Sequence, residues 1–176
     1  MKQALVKTLT CVAVAVLCGT PQAVLAQEGT RLNKLIELFE NDQSAFGVLS
    51  FDYSLNNARA MATSGLDFVF IDMEHAPLTP AQVRGHLMAM KGSDCAALVR
   101  VPWNDQVLIK PVLDIGADGI IVPMVQTAAD VARAVAACRY PPDGVRGFGP
   151  LRPLDYGRRD VAAYCQQANE DIITIA

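Results

Sequence analysis

Three short stretches of the chain carry the side chains that proton transfer or anion binding requires. Asp72, Glu74 and His75 stand together directly after the apolar run 68–71. An imidazole beside carboxylates can take up or release a proton near neutral pH. The alternative for His75 is a ring packed at a strand end with its nitrogens satisfied by backbone. Arg100 closes a second apolar run, 96–99, where a guanidinium must be paired or open into a cleft. Two uses stay open for it: a two-pronged grip on a substrate carboxylate, or an ion pair with Asp72 or Glu74. Asp114, at the end of the helix that follows, either orients a histidine or faces solvent. The other histidine, His86, falls inside a helix, where a solvated or boundary position is the default.

The elements that must hold these groups alternate along the chain. Leu32, Leu35, Ile36 and Phe39 fall at helical spacing. Residues 45–50 read as a buried strand, and 55–64 as a helix closed by Gly65. The run 68–72 is the next strand. Thr79 caps a helix with Pro80 in its first turn, running to about Lys91 before Gly92. A third strand, 96–101, leads through Pro102, Trp103, Asn104 and Asp105 into a helix ending near Ile115 and Gly116. Pro111 sits near the first turn of that helix if it starts at Val107, and kinks it if it starts at Asp105. Residues 119–124 form a fourth strand. Thr127 and Asp130 have capping-box spacing, opening a helix to Cys138. A loop rich in proline and glycine spans 140–153, followed by a helix over 161–168 and a fifth strand over 172–175.

Continuously apolar strands separated by amphipathic helices imply a parallel sheet covered by helices, either a (β/α) barrel or a doubly wound open sheet. Polar residues at the carboxyl ends of several strands favour the barrel. An open-sheet nucleotide binder would carry a glycine-rich turn after its first strand, where Gly47 stands alone.

At the amino terminus, Lys2 and Lys7 precede an apolar run, 9–18, which is followed by Gly19, Pro21 and the small-residue ending Val24-Leu25-Ala26. That is the pattern of a secretory signal peptide cut before Gln27, too short to span a bilayer. Residues 1–26 are therefore expected to be the signal and 27–176 the folded domain, exported to the periplasm and free of the membrane once the signal is removed. Loss of the two lysines takes the net charge from −3 to about −5. Scattered basic residues on an acidic chain argue against a nucleic-acid partner. Of five cysteines, Cys11 and Cys18 leave with the signal. Cys95, Cys138 and Cys165 remain without a Cys-x-x-Cys pair, so small buried apolar roles are expected rather than a disulfide framework or a structural zinc.

The string Ile71-Asp72-Met73-Glu74-His75-Ala76-Pro77 resembles a signature of the class II hydroxy-oxo-acid (HpcH/HpaI) aldolases and their citrate lyase relatives. The likeness continues through Val99-Arg100-Val101-Pro102-Trp103-Asn104-Asp105, Leu113-Asp114-Ile115-Gly116-Ala117, Ile121-Val122-Pro123-Met124-Val125, and 139–147. It implies a TIM-type (β/α)8 barrel of which about five of eight strands are present. The implied activity is cleavage of a 4-hydroxy-2-oxo acid to pyruvate and an aldehyde. The implied cofactor is a divalent metal, Mg²⁺ or Mn²⁺, acting as a Lewis acid. His75 would serve in proton transfer, Asp114 would hold and polarise His75, and Arg100 would bind the substrate's keto or enolate oxygen.

The metal's Glu and Asp ligands are expected beyond Ala176, so no metal ligand is assigned in this chain. The chain alone is expected to be inactive, and a full-length protein is expected to form homo-oligomers. Residues 45–53 depart from the family's often Trp-containing first strand and loop, which bears on the aldehyde partner. Two other classes stay in view. One is a non-catalytic periplasmic homologue that binds an oxo acid or a partner chain. The other is a lyase acting on an acyl-CoA thioester, which would need a basic patch for the CoA phosphates.

Overall fold

In the computed structural model, residues 33–176 are described, apart from 53, 151 and 152. The signal-peptide expectation falls outside them. Helices and strands alternate: α1 (Lys34–Glu40), β1 (Gly47–Ser50), α2 (Leu55–Ala62), β2 (Phe68–Asp72), α3 (Pro80–Met90), β3 (Ala96–Arg100), α4 (Gln106–Asp114), β4 (Gly119–Ile121), α5 (Ala128–Cys138), α6 (Val161–Asp171) and β5 (Ile173–Ile175), with a 3-10 turn at Asp155–Gly157. All four strand pairings are parallel, in the order β1-β2-β3-β4-β5. Each strand adds to the same edge. A doubly wound sheet would reverse at a switch point, so the arrangement is an arc of a (β/α) barrel.

Local sequence explains where the helices begin. Thr79 accepts from the Gln82 N–H while the Gln82 side chain accepts from Thr79 N, and Thr127 and Asp130 close the same reciprocal box. α4 begins at Gln106 behind the cap Asp105, so Pro111 lies inside the helix. Its ring nitrogen cannot complete the bond to the carbonyl one turn back. The fourth strand is shorter than its apolar run. Val122 N donates to Ile175 O at 2.8 Å, but Pro123 has no N–H and Met124 turns to φ 57°.

The two faces of the sheet have different cores. Toward the helices, Val69, Ile71, Val99 and Ile120 are fully buried against Val83, Leu87, Ile109, Val112 and Ala134. Burying each such strand side chain contributes about 1.5–3 kcal/mol. On the other face, Phe68, Leu98, Ile121 and Ile173 gather with Leu35 of α1. Gly119 leaves room there, since a Cβ at that position would stand 2.6 Å from Leu98 Cδ2. The buried amide of Asn33 donates to the carbonyls of Asp118 and Asp171, fixing the start of α1 beside the segments that enter β4 and β5. Cys95 and Cys138 are buried as expected, whereas Cys165 is only half-buried; all three are free thiols. Among the described residues no helix is long and apolar enough to cross a membrane.

Candidate active site

The register between β2 and β3 aligns Phe68 with Ala96, Phe70 with Leu98, and Asp72 with Arg100. Side chains alternate along a strand, so Asp72 and Arg100 emerge on the face that carries Phe68 and Leu98, at its carboxyl end. Ile121 occupies the same level on β4. Active sites of (β/α) barrels lie at this end of the strands.

Arg100 is paired there. Its Nε donates to Asp72 Oδ1 at 2.9 Å and its Nη2 to Asp72 Oδ2 at 2.8 Å. Glu74 Oε2 lies 3.1 Å from the same Nε. The guanidinium also stands 5.1 Å over the Phe70 ring. Of the two uses the sequence leaves open, the ion pair is present, and it occupies the Nε–Nη2 edge. Nη1 makes no hydrogen bond among the described residues. The hydrogen bond that Arg100 donates to Asp72 outweighs burial and raises the Arg100 pKa.

Burial acts to raise the Asp72 carboxyl, but the Arg100 guanidinium and the backbone N–H groups of Glu74 and His75 outweigh it. The group is held below its ordinary value. Those N–H groups lie 2.9 and 3.4 Å from Asp72 Oδ1. His75 follows in the turn with an exposed side chain, its Nε2 3.4 Å from Glu74 Oε2. Asp72, Glu74, His75 and Arg100 therefore form one connected cluster.

Asp114 does not join it. α4 runs back from the carboxyl end of β3, and its nine residues carry the chain ~13 Å along the helix axis. Asp114 thus lies by the Gly116–Ala117 turn that leads into the start of β4. Within one chain, the expectation that it holds His75 is not met. Its Oδ1 instead faces the buried Arg146, 3.5 Å from Nη2, and Arg146 stacks 4.3 Å over Tyr140. Burial raises the Asp114 carboxyl, opposed in part by Arg146 and Lys110.

His86 corrects a second expectation. It is fully buried, not solvated. Its Nε2 lies 2.7 Å from the Asp52 carbonyl and its Nδ1 3.0 Å from that of Gln82. The buried positions of α3 are Val83, His86, Leu87 and Met90, a helical stripe that could have revealed the inward position. Met124, three residues past β4, has a left-handed backbone unusual for a residue with a side chain. No sequence signal marked it.

The divalent metal implied by the sequence resemblance does not fit the described residues. No group of three His, Cys, Asp or Glu side chains gathers among them, and Asp72 and Glu74 are turned to Arg100.

Comparison with known proteins assigns residues 52–176 to the HpcH/HpaI aldolase/citrate lyase group. The chain is 42% identical over 120 residues to the hydroxypyruvate/pyruvate aldolase of Sagittula stellata, covering 68% of this chain and 47% of that relative. It is also 42% identical over 120 residues to a 4-hydroxy-2-oxovalerate aldolase of Rhodococcus jostii, covering 68% of this chain and 46% of the relative. The crystal structure of a protein of the same group from Burkholderia cenocepacia superposes with a TM-score of 0.74 at 34% identity, covering 81% of this chain and 58% of that one. The chain spans about half the length of the curated relatives it matches.

Proposed function

Because this chain belongs to the HpcH/HpaI aldolase/citrate lyase family, we propose that it supplies part of the active face of a carbon–carbon lyase cleaving a 4-hydroxy-2-oxo acid to pyruvate and an aldehyde. The observation that carries this reading is the cluster at the ends of β2 and β3. There, an exposed imidazole and a guanidinium fixed by Asp72, whose Nη1 makes no hydrogen bond among the described residues, share the Glu74 carboxylate.

Cleavage removes the proton of the 4-hydroxyl and breaks the C3–C4 bond. The aldehyde leaves, and the electron pair becomes the enolate of pyruvate, with charge on the former keto oxygen. His75 is exposed enough to reach the substrate; it takes the 4-hydroxyl proton and gives it back to C3 of the enolate, which completes pyruvate. Arg100 offers Nη1 to the oxygen on which charge develops, and a donor already fixed by Asp72 needs little reorganisation. Because Asp72 occupies the Nε–Nη2 edge, Arg100 recognises this oxygen rather than clamping a carboxylate with that edge.

These steps use only this chain's side chains. A divalent ion, Mg²⁺ or Mn²⁺, belongs to the proposal with ligands from outside the described residues. So do export to the periplasm and assembly into homo-oligomers. The different names of the two relatives leave the aldehyde partner to be found by assay.

The enolate half of the reaction tests the reading. Pyruvate is incubated in D₂O with Mn²⁺, with this chain and with a version lengthened to the size of its relatives, and its methyl protons are followed by NMR. The lengthened protein is expected to exchange them, and Arg100→Ala to abolish the exchange. No exchange by a well-folded lengthened protein would overturn the reading.

A further inference from the structure

Asp72 has a fully buried side chain, yet four N–H groups converge on it. Oδ1 accepts from Arg100 Nε at 2.9 Å, from Glu74 N at 2.9 Å and from His75 N at 3.4 Å, and Oδ2 accepts from Arg100 Nη2 at 2.8 Å. Two of these donors belong to a side chain on β3 and two to the backbone of the turn after β2. The sheet itself does not need them. The ladder continues past the cluster through Met73 N to Arg100 O at 2.9 Å and Val101 N to Ile121 O at 3.1 Å.

We propose that Asp72 is the positioning residue of this face, one carboxylate that fixes both the direction of the Arg100 guanidinium and the turn that presents His75. The inference deepens the function proposed above and takes from it the roles of Arg100 and His75. Asp72 does not touch substrate in this scheme, because its oxygens are filled by protein donors.

The geometry explains why a carboxylate stands here. An ionised carboxylate has about four acceptor sites and no donor, which matches four incoming N–H groups. Oδ1 receives Arg100 Nε and both turn N–H groups while Oδ2 receives Arg100 Nη2, so removing the carboxylate takes an acceptor from the guanidinium and from the turn at once. Glu74 reinforces the link through side chains, its Oε2 lying 3.1 Å from Arg100 Nε and 3.4 Å from His75 Nε2. A shift of the Asp72 carboxylate therefore moves the Arg100 donor edge and the His75 turn together.

Hydrogen exchange in this chain, followed by NMR, tests the coupling without relying on turnover. In Asp72→Ala, the Arg100 Nε–H and the His75 amide should both exchange about 10- to 100-fold faster, the ratio expected for loss of a charged hydrogen bond. The Ile71 and Val99 amides should keep their rates. If only one of the two groups responds, or if Ile71 and Val99 accelerate equally, the inference is overturned.

Should Asp72→Ala not fold, acid titration of the parent reads the same link. Protection at Arg100 Nε and at the His75 amide, corrected for intrinsic exchange, should vanish at one midpoint, shared with the Asp72 carboxyl carbon. Separate midpoints overturn it. A chain that passes this test but never processes pyruvate keeps the positioning role and loses the functional reading.

Discussion

Asp72 and Arg100, 28 residues apart in sequence, meet at one level of the β2–β3 ladder and close a two-bond clamp of 2.9 and 2.8 Å. The carboxylate is buried and the guanidinium half-buried, so the pair joins the stability of the sheet to the geometry of its active end. Breaking it by removing one partner leaves the other charge without compensation.

The pH dependence follows from the lowered Asp72 carboxyl. A depressed carboxylate contributes stability that is fully present above its unfolded value, about 3.9, and lost as pH falls through its folded value. Urea unfolding of this chain should show no dependence on this group at neutral pH and a loss below about pH 4. Asp72→Ala should remove that acid-limb contribution and cost about 3–5 kcal/mol at neutral pH. An unchanged acid limb would show that the clamp does not contribute.

Asp114 and Arg146 form a second, looser pair at the opposite end of the sheet. Asp114→Ala should destabilise by about 3 kcal/mol, because it strands a buried guanidinium. Replacing both partners by apolar residues, Asp114→Leu with Arg146→Met, should cost much less than the sum of the single changes. A double-mutant cycle in urea reads the difference.

His86 ties α3 to the loop after β1 through the Asp52 carbonyl. His86→Ala should destabilise by about 3 kcal/mol, from the cavity and the lost hydrogen bond. Amide exchange at Asp52 and Ser54 should rise more than in β3. Uniform acceleration across the sheet would assign His86 a packing role alone.

Much of this architecture was legible because short apolar runs and capping residues are local signals. Thr79 and Thr127 mark the starts of α3 and α5, and the alternation of strands and helices gave a parallel sheet with helices packed against it. The barrel order needed only the added clue that Asp72, Glu74 and His75 close the second strand, Arg100 the third, and Pro123 and Met124 the fourth apolar run. What escaped depends on direction and pairing. The end of β4 reads as apolar sequence, but Pro123 and the left-handed Met124 stop the ladder after Val122. Asp114 has a chemically suitable side chain, yet a helix following a strand returns its far end to the opposite end of the sheet. Whether Arg100 was paired or free could not be read from its place in a run. That depended on the cross-strand register with Asp72.

The reading of residues 1–26 as an exported leader gives a separate prediction. Expression of the whole chain in a bacterium with a periplasm should yield a mature protein whose first residue is Gln27, determined by amino-terminal sequencing. A product that keeps Lys2 and Lys7 and stays in the cytoplasm would refute export.

Pyruvate release from a 4-hydroxy-2-oxo acid with Mn²⁺ tests the proposed chemistry most directly. This chain is compared with a version lengthened to the size of its relatives, each with a His75→Ala counterpart. The prediction is activity in the lengthened protein, with kcat reduced by about 10²-fold or more in His75→Ala. Release that is indifferent to His75, or none from a well-folded lengthened protein across several such substrates, would contradict it.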